Sequence, residues 1–191
     1  MQLLEDRILR EGKVFPNNIL KVDSFLNHQV DVDLLVAMGE EFRSLYASEK
    51  ITKVLTIEAS GIAIASFAAL ALKVPMVFAK KSQTKNIGSN LYHTRTMSFT
   101  HGREYDIVCS KDYLNKEDRI LIIDDFLANG KALIGLIDIV NQSGATLVGC
   151  GIAIEKAFQP GGNLLREQGV RIESLARIAS MTDDSLTFVR Q

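Results

Sequence analysis

The chain has 191 residues, of which 47% are hydrophobic and 24% are charged, and its formal net charge is -1. This size predicts a single domain, residues 1–191, with one continuous core. The near-neutral charge argues against a nucleic-acid partner, because nucleic-acid binders normally carry a basic excess or a basic face. Cys109 and Cys150 have neither metal-ligand spacing nor a disulfide pattern, so we expect buried free thiols in a reducing cytoplasm.

Two helices are predicted in the first fifty residues. A short one carries apolar residues at Leu4, Ile8 and Leu9, and Gly12 is placed to end it. A second apolar stripe of helical period runs over about residues 31–48. Acidic residues lie among the first fifteen, so this segment is not expected to be a secretory signal.

Residues 61–79, GIAIASFAALALKVPMVFA, are nearly long enough to span a bilayer. Lys73 and Pro75 interrupt the stretch, and its two halves differ in character. Small and straight-chain residues favour a helix up to Leu72, whereas VPMVFA favours a strand. We therefore expect a buried helix followed by a buried strand, and no membrane partner.

From residue 53 onward, strand-like and helix-like segments alternate. The strand-like segments are KVLTI, MVFAK, YDIVC, RILIID and TLVGCGIAI, and helices are predicted after Gly61 and over about residues 131–142. Aliphatic runs without polar alternation are typical of parallel strands that are covered on both faces. The pattern predicts an α/β fold with a mostly parallel sheet flanked by helices.

Polar residues collect just after four of these strands, in EASG (58–61), KKSQTKN (80–86), DDFLANGKA (124–132) and EKAFQPGG (155–162). Each segment alone could be a helix cap, a surface pair or a turn. Ligands of parallel sheets bind beyond the carboxyl ends of the strands. Together the four segments therefore predict a binding site at that edge of the sheet.

The most specific pattern is ILIIDDFLANGKAL, residues 120–133. Asp124 and Asp125 suit either Mg²⁺ or the vicinal hydroxyls of a ribose. The following loop opens a helix, whose N-terminal N–H groups and dipole favour a phosphate, and Asn129 and Gly130 tolerate positive φ angles. Neither G-x-x-x-x-G-K-[ST] nor G-x-G-x-x-G is present. The pattern predicts a site for ribose 5-phosphate, and an aspartate that merely caps a helix is the alternative.

LIIDDFLANGKAL resembles the 5-phosphoribosyl 1-diphosphate (PRPP) motif of the type I phosphoribosyltransferases. FPNNILKVDSFLNHQVD, TIEASGIAIA and GIAIEKAFQPGG are similar to the bacterial xanthine-specific branch, so the resemblance covers nearly the whole chain. The family commonly has Thr-Gly in the phosphate loop, whereas this chain has Asn129-Gly130-Lys131. We therefore expect phosphate binding to depend mainly on main-chain amides.

The resemblance implies a purine-salvage pentosyltransferase that converts xanthine and PRPP to xanthosine 5′-monophosphate and pyrophosphate. It implies a cytoplasmic homodimer, with Mg²⁺ held mainly through PRPP and no direct protein ligand assigned. Asp124 and Asp125 would contact the ribose hydroxyls, directly or through Mg²⁺. The residues implied for PRPP phosphates are Ala128, Asn129, Gly130, Lys131 and Ala132 for the 5′-phosphate, and Ser60, Gly61 and Lys81 for the pyrophosphate.

The resemblance also implies a hood over the base, made of about residues 1–30 and the C-terminal strands. Lys156 would donate to the 6-oxo oxygen of a purine and so disfavour adenine. Asn27 offers a donor and an acceptor, and Leu20 would cover the ring or contribute a backbone group. The alternatives are a surface lysine for Lys156 and a hood-core leucine for Leu20.

The polar stretch of about residues 82–105 contains too few apolar residues for a core element. The resemblance implies a lid that closes over PRPP and excludes water. A solvated surface loop or a β-excursion from the main fold is the alternative.

Two other functions remain open from the sequence. Some transcription regulators keep this fold and its PRPP motif as a sensor. Sibling enzymes act on adenine, or on hypoxanthine and guanine, and share the two-acid motif. The preference for xanthine depends on the hood segment and on IEKAFQPGG.

Overall fold

The computed structural model describes residues 1–81, 90–98 and 103–190. Its first elements are α1 (Gln2–Glu11), β1 (Lys13–Phe15), β2 (Ile19–Lys21), a π-type turn (Asp23–Asn27) and α2 (Val32–Leu45). They are followed by β3 (Lys53–Ile57), α3 (Gly61–Leu72), β4 (Met76–Ala79), β5 (Leu91–Ser98) and β6 (Arg103–Ser110). The last are β7 (Arg119–Leu127), α4 (Lys131–Ser143), β8 (Thr146–Lys156), α5 (Pro160–Glu167), β9 (Ile172–Met181) and β10 (Leu186–Phe188).

Six strands form the central sheet in the order β10-β9-β8-β7-β3-β4. All neighbours are parallel except β10, which pairs antiparallel with β9. The helices α3, α4 and α5 connect successive parallel strands, so each strand–helix–strand unit places its strands in one sheet. The predicted α/β fold class is confirmed. The ends of β3, β7 and β8 are neighbours, and we call this side of the sheet the carboxyl edge.

Apolar residues cover both faces of the sheet. One cluster joins the sheet to α1, α2, α3 and the hood, and the other joins it to α4, α5 and β6. This burial on both faces explains why the strands show no polar alternation. The helix and strand predicted within residues 61–79 are α3 and β4, and among the described residues no helix is long and apolar enough to cross a membrane.

The ends of the helices follow from local chemistry. Asp31 caps α2 by accepting a hydrogen bond from the N–H of Leu34 at 3.0 Å, which explains the predicted start near residue 31. Gly144 ends α4 with a φ of 72°, a left-handed conformation that suits glycine. The helices predicted over about residues 31–48 and 131–142 are therefore present as α2 and α4. The helix α2 ends at Leu45, three residues before the predicted boundary.

One strand pairs differently from the expectation. The segment YDIVC lies in β6, but β6 pairs antiparallel with β5 in a separate hairpin and not within the central sheet. A bridge between Lys80 and Val108 attaches this hairpin to the end of β4. Its described part therefore matches the β-excursion alternative for residues 82–105, and residues 82–89 and 99–102 of the predicted lid lie outside the described residues.

Both cysteines are free and buried, as predicted. Burial raises the pKa of the Cys109 thiol to about 11 and also raises that of Cys150. Neither thiol is therefore poised as a nucleophile at neutral pH.

Candidate active site

Residues 128–132, which we call the phosphate turn, run from the end of β7 into the first turn of α4. Gly130 has a φ of 80° and precedes the helix. The N–H of Lys131 donates to the side-chain oxygen of Asn129 at 3.1 Å, which fixes the shape of the turn. The N–H groups of Gly130, Ala132 and Leu133 have no partner within the helix. The turn can therefore offer main-chain donors to an anion at the positive end of the helix dipole.

The first turn of α5 is in contact with the phosphate turn. The N–H of Gly161 donates to the carbonyl oxygen of Ala128 at 3.1 Å. A Cβ built on Gly161 would lie 2.5 Å from that oxygen and from the nitrogen of Gly130. Glycine is required here because the two backbones are in direct contact.

Asp124 and Asp125 lie within β7, and Asp124 is almost fully buried, with 5% exposure. The strand continues to Leu127, because its pairing with β8 extends past the two acids that were expected to follow it. The N–H of Asp125 donates to Oδ1 of Asp124 at 3.0 Å. Burial, with the neighbouring charge of Asp125, raises the pKa of Asp124 well above its usual range, and the positive charge of Lys81 opposes this shift. Burial and the charge of Asp124 raise the pKa of Tyr105, whose ring centre lies 5.9 Å from Lys81 Nζ. These groups form one electrostatic cluster.

The turn after β3, residues 58–61, adjoins this cluster. The N–H of Lys81 donates to Oε1 of Glu58 at 2.7 Å, and the Glu58–Ala59 peptide is cis. Gly61 is the first residue of α3, after Ser60. A Cβ built on Gly61 would lie 3.0 Å from Oδ1 of Asp124. The structure therefore brings Ser60, Gly61 and Lys81 next to the acidic pair.

Lys156 at the end of β8 reaches the hood. Its ammonium donates to the carbonyl oxygen of Asn18 at 2.7 Å and lies 5.6 Å from the ring centre of Phe126. Burial lowers the pKa of Lys156. Lys156 is therefore a half-buried lysine whose ammonium joins the sheet to the hood.

The two other residues assigned to the base lie in the hood itself. The Leu20 side chain is buried in the core beside α1, as the hood-core alternative described. Asn27 ends the π-type turn with an exposed side chain. Within the described part of the chain, no hydrogen bond joins Asn27 to Lys156.

A buried charge network behind the site was not predicted. Glu155 is fully buried and receives two hydrogen bonds from Arg166, at 2.6 and 2.7 Å. Ser174 and Arg177 donate to the same carboxylate at 2.6 and 3.1 Å. The sequence offers only the isolated signal of an acid that ends an apolar strand. Its partners lie on α5 and β9, and their contact depends on the register of β8 and β9.

The phosphoribosyl transferase domain family matches residues 32–162 of this chain. The xanthine phosphoribosyltransferase of Ruminiclostridium cellulolyticum is 58% identical over 188 residues, which cover 98% of this chain and 99% of that protein. The xanthine phosphoribosyltransferase of Lachnoclostridium phytofermentans is 56% identical, covering 99% of this chain and 97% of the relative. The xanthine phosphoribosyltransferase of Bacillus mycoides is 51% identical, and the match covers 100% of this chain and 97% of the relative.

Solved structures show the same fold at much lower identity. The adenine phosphoribosyltransferase of Giardia lamblia, complexed with 9-deazaadenine, superposes with a TM-score of 0.78 at 21% identity and covers 91% of this chain and 97% of its own. The adenine phosphoribosyltransferase of Trypanosoma brucei, in complex with AMP, pyrophosphate and ribose-5-phosphate, superposes with a TM-score of 0.75 at 19% identity. The match covers 91% of this chain and 79% of that one. The chain belongs to the phosphoribosyltransferase family, alongside relatives named xanthine phosphoribosyltransferase.

Proposed function

We propose that this protein transfers the ribosyl 5-phosphate group of PRPP to xanthine, releasing pyrophosphate and forming xanthosine 5′-monophosphate. The observation that carries the proposal is the pair Asp124–Asp125 beside the phosphate turn, at the carboxyl edge of the sheet. The relatives of this chain are named xanthine phosphoribosyltransferase. A purine ring nitrogen forms a bond to the anomeric carbon as the bond from that carbon to pyrophosphate breaks, with inversion.

The phosphate turn holds the 5′-phosphate through main-chain N–H groups. Asn129 shapes the turn by accepting from Lys131, whose side chain is exposed and can add charge from outside. Asp124 and Asp125 accept hydrogen bonds from the ribose hydroxyls. Residues 59–61 and Lys81 face the pyrophosphate. Positioning of the two reactants and stabilisation of the departing charge supply most of the catalysis.

Mg²⁺ suits this set of oxygen donors. Asp124 and Asp125 are two adjacent carboxylates, and the described residues contain no cluster of three or more His, Cys, Asp or Glu that would hold a metal alone. Proteins typically bind Mg²⁺ with one or two carboxylates and substrate phosphates while several waters remain. When bound, the ion would neutralise charge on the leaving pyrophosphate.

Lys156 and the hood are proposed to bind xanthine. One N–H of the ammonium is engaged by Asn18, which leaves two donors for purine oxo groups. An exocyclic amino group of adenine would meet these donors with a donor of its own. Because the Leu20 side chain is buried, its contribution would come from the main chain, and the exposed Asn27 would bind a second purine edge.

The hairpin of β5 and β6 is proposed to belong to the lid. Thr96 donates to the carbonyl oxygen of Lys131 at 3.2 Å, so the hairpin lies against the first residue of α4. Further along, the N–H of His93 donates to Gln142 at 3.3 Å. Both contacts support a lid anchored on the helix that begins at the phosphate turn. Closure would exclude water from PRPP.

A homodimer is also proposed. Leu70 on α3 and Phe78 on β4 are large apolar residues with 69% and 40% exposure, on two elements that contact each other. A second copy could cover them. Light scattering coupled to size exclusion would test this assembly, and a monomer at micromolar concentration would contradict it.

The decisive experiment measures turnover with PRPP, Mg²⁺ and each of xanthine, guanine, hypoxanthine and adenine. We expect the highest kcat/KM with xanthine. A rate with adenine that equals or exceeds it would overturn the assignment. The variant Lys156→Met, which keeps the length of the side chain, should change the ranking of the bases, whereas the exposed and remote Lys116→Met should not.

Regulation through DNA is the competing function. The net charge of -1 does not favour it. A titration with duplex DNA at two salt concentrations discriminates the two functions. Tight, salt-sensitive binding together with no turnover on any base would favour a PRPP sensor.

A further inference from the structure

Thr56 on β3 carries an unsatisfied hydroxyl at the carboxyl edge. The residue is fully buried, and within the described residues Thr56 Oγ1 is the only buried side-chain nitrogen or oxygen without a hydrogen-bond partner. Proteins satisfy most buried polar groups, so an unpartnered hydroxyl calls for an explanation. A valine of the same shape would avoid the unpaired hydroxyl altogether.

The hydroxyl lies beside the turn after β3, which adjoins the proposed substrate site. A Cβ built on Gly61 would lie 2.3 Å from Thr56 Oγ1 and 3.0 Å from Asp124 Oδ1. Both oxygens therefore converge on the first residue of α3, at the turn that adjoins the acidic pair. No side chain fits between them, which explains glycine at residue 61.

Asp124 has room for a further donor. Its Oδ1 accepts from the N–H of Asp125, and among the described residues the only other hydrogen-bond neighbour of its carboxylate is the side chain of Asp125. A buried carboxylate gains more from an additional donor than an exposed one, because water does not compete.

We propose that Thr56 is a positioning residue for PRPP: its hydroxyl donates to the Asp124 carboxylate in the substrate complex and holds it against residues 59–61. The inference rests on the proposed function, since it concerns the same site. Thr56 contacts neither substrate nor metal in this scheme, and acts through Asp124. PRPP binding would bring the donor and the carboxylate together.

Three variants test this role. Thr56→Val removes the hydroxyl and keeps the shape, and Thr56→Ser keeps the hydroxyl. Thr52→Val removes a hydroxyl from the residue that directly precedes β3. Thr52 is a matched control because its hydroxyl is already engaged, donating to Asp118 at 3.1 Å and accepting from the N–H of Arg119 at 2.9 Å.

Thr56→Val is expected to raise the KM for PRPP about tenfold, as loss of a hydrogen bond to a charged group should. Its KM for xanthine should stay unchanged, and its melting temperature should equal or exceed that of the wild type. Thr56→Ser should restore the KM for PRPP. Thr52→Val should show the reverse pattern, a lower melting temperature with an unchanged KM for PRPP.

An unchanged KM for PRPP in Thr56→Val would overturn the proposal. An equal rise in the KM for PRPP in Thr56→Ser would also overturn it, because the methyl group would then be responsible. Failure of Thr56→Val to fold would overturn it as well, because the hydroxyl would then have a structural partner. These outcomes differ from failure of the proposed function, in which the wild type itself would turn over no base.

Discussion

Two buried carboxylates at the carboxyl edge have opposite surroundings. Burial alone would raise the pKa of Glu155, but hydrogen bonds from Arg166 and Ser174 outweigh it and lower the pKa below its usual range. Asp124 is buried without a cation in hydrogen-bond contact, and its pKa is raised. Glu155 therefore stabilises the fold in its ionised form, whereas burial disfavours the ionised form of Asp124, as expected of a functional group.

The variant Glu155→Gln tests the structural carboxylate. It keeps the shape but leaves Arg166 and Arg177 beside a neutral amide. We expect unfolding free energy to fall by roughly 2–3 kcal/mol at pH 7, below the value for a fully buried pair because both guanidinium groups are partly exposed. Urea unfolding measures the difference. Glu173→Gln is the control, since Glu173 pairs with Arg171 near the surface and should change stability by less than about 0.5 kcal/mol.

The same variant has a defined pH dependence. A carboxylate with a lowered pKa in the folded state contributes stability above its unfolded pKa, about 4.3 for glutamate, and loses it as the pH falls through the folded value. The difference between the wild type and Glu155→Gln should therefore be constant from pH 6 to 7 and shrink below about pH 4.3. If the difference in unfolding free energy stays constant down to pH 3, then shape, and not charge, accounts for the lower stability of the variant.

At the scale of elements, the contact between the first turn of α5 and the phosphate turn should be the most sensitive to substitution. Gly161→Ala would place a Cβ 2.5 Å from Ala128 O and Gly130 N, so the turn must move. We expect the KM for PRPP to rise at least about tenfold and stability to fall by roughly 1–3 kcal/mol, as in other overpacked positions. Steady-state kinetics at varied PRPP, with thermal unfolding alongside, measures both.

Gly169→Ala is the matched control for this substitution. Gly169 has a φ of 84° and no atom within 4 Å of a built Cβ, so alanine strains the backbone but displaces nothing. It should lower stability by about 1 kcal/mol and leave the KM for PRPP unchanged. Equal changes in KM for the two variants would mean that the contact with α5 has no special role in holding the phosphate turn.

Elements that follow from local pattern were predictable, and those that depend on pairing were not. The aliphatic runs that lead to Asp124 and Lys156, and the helix beginning at Lys131, appear directly in the sequence. The pairing of β6 with β5 outside the sheet does not, because YDIVC has the same aliphatic character as a central strand. The polar stretch before it gave no apolar signal, although eight of its residues form β5.

The site shows the same division between local and distant information. Asp124, Asp125 and the phosphate turn are contiguous in sequence, so one motif identified them together. Thr56 and Arg166 could not be identified, because a threonine in an apolar strand and an arginine on a short helix have no local signature. Their importance comes from the neighbours that β3, β7 and β8 bring to one edge of the sheet.

At the scale of the whole molecule, the carboxyl edge gathers groups from β3, β7 and β8, so substrate binding should stabilise the entire fold. A ligand that binds only the folded state adds about 2.7 kcal/mol at one hundred times its Kd. For a chain of this length, that corresponds to a rise of roughly 5–10 °C in melting temperature. We expect this rise with PRPP and Mg²⁺ at saturating concentration, measured by differential scanning calorimetry.

The double variant Asp124→Asn with Asp125→Asn separates binding from folding. Because the pKa of Asp124 is raised in the folded state, its ionised form opposes folding at neutral pH, and the amide removes that loss. The free double variant should therefore melt at or above the wild-type temperature, yet show no rise with PRPP and Mg²⁺. A full rise in the double variant would mean that PRPP binds without the acidic pair, and the assignment of the ribose site would be wrong. A lower melting temperature without ligand would instead show that the pair stabilises the fold, contrary to the burial of Asp124 without a cation.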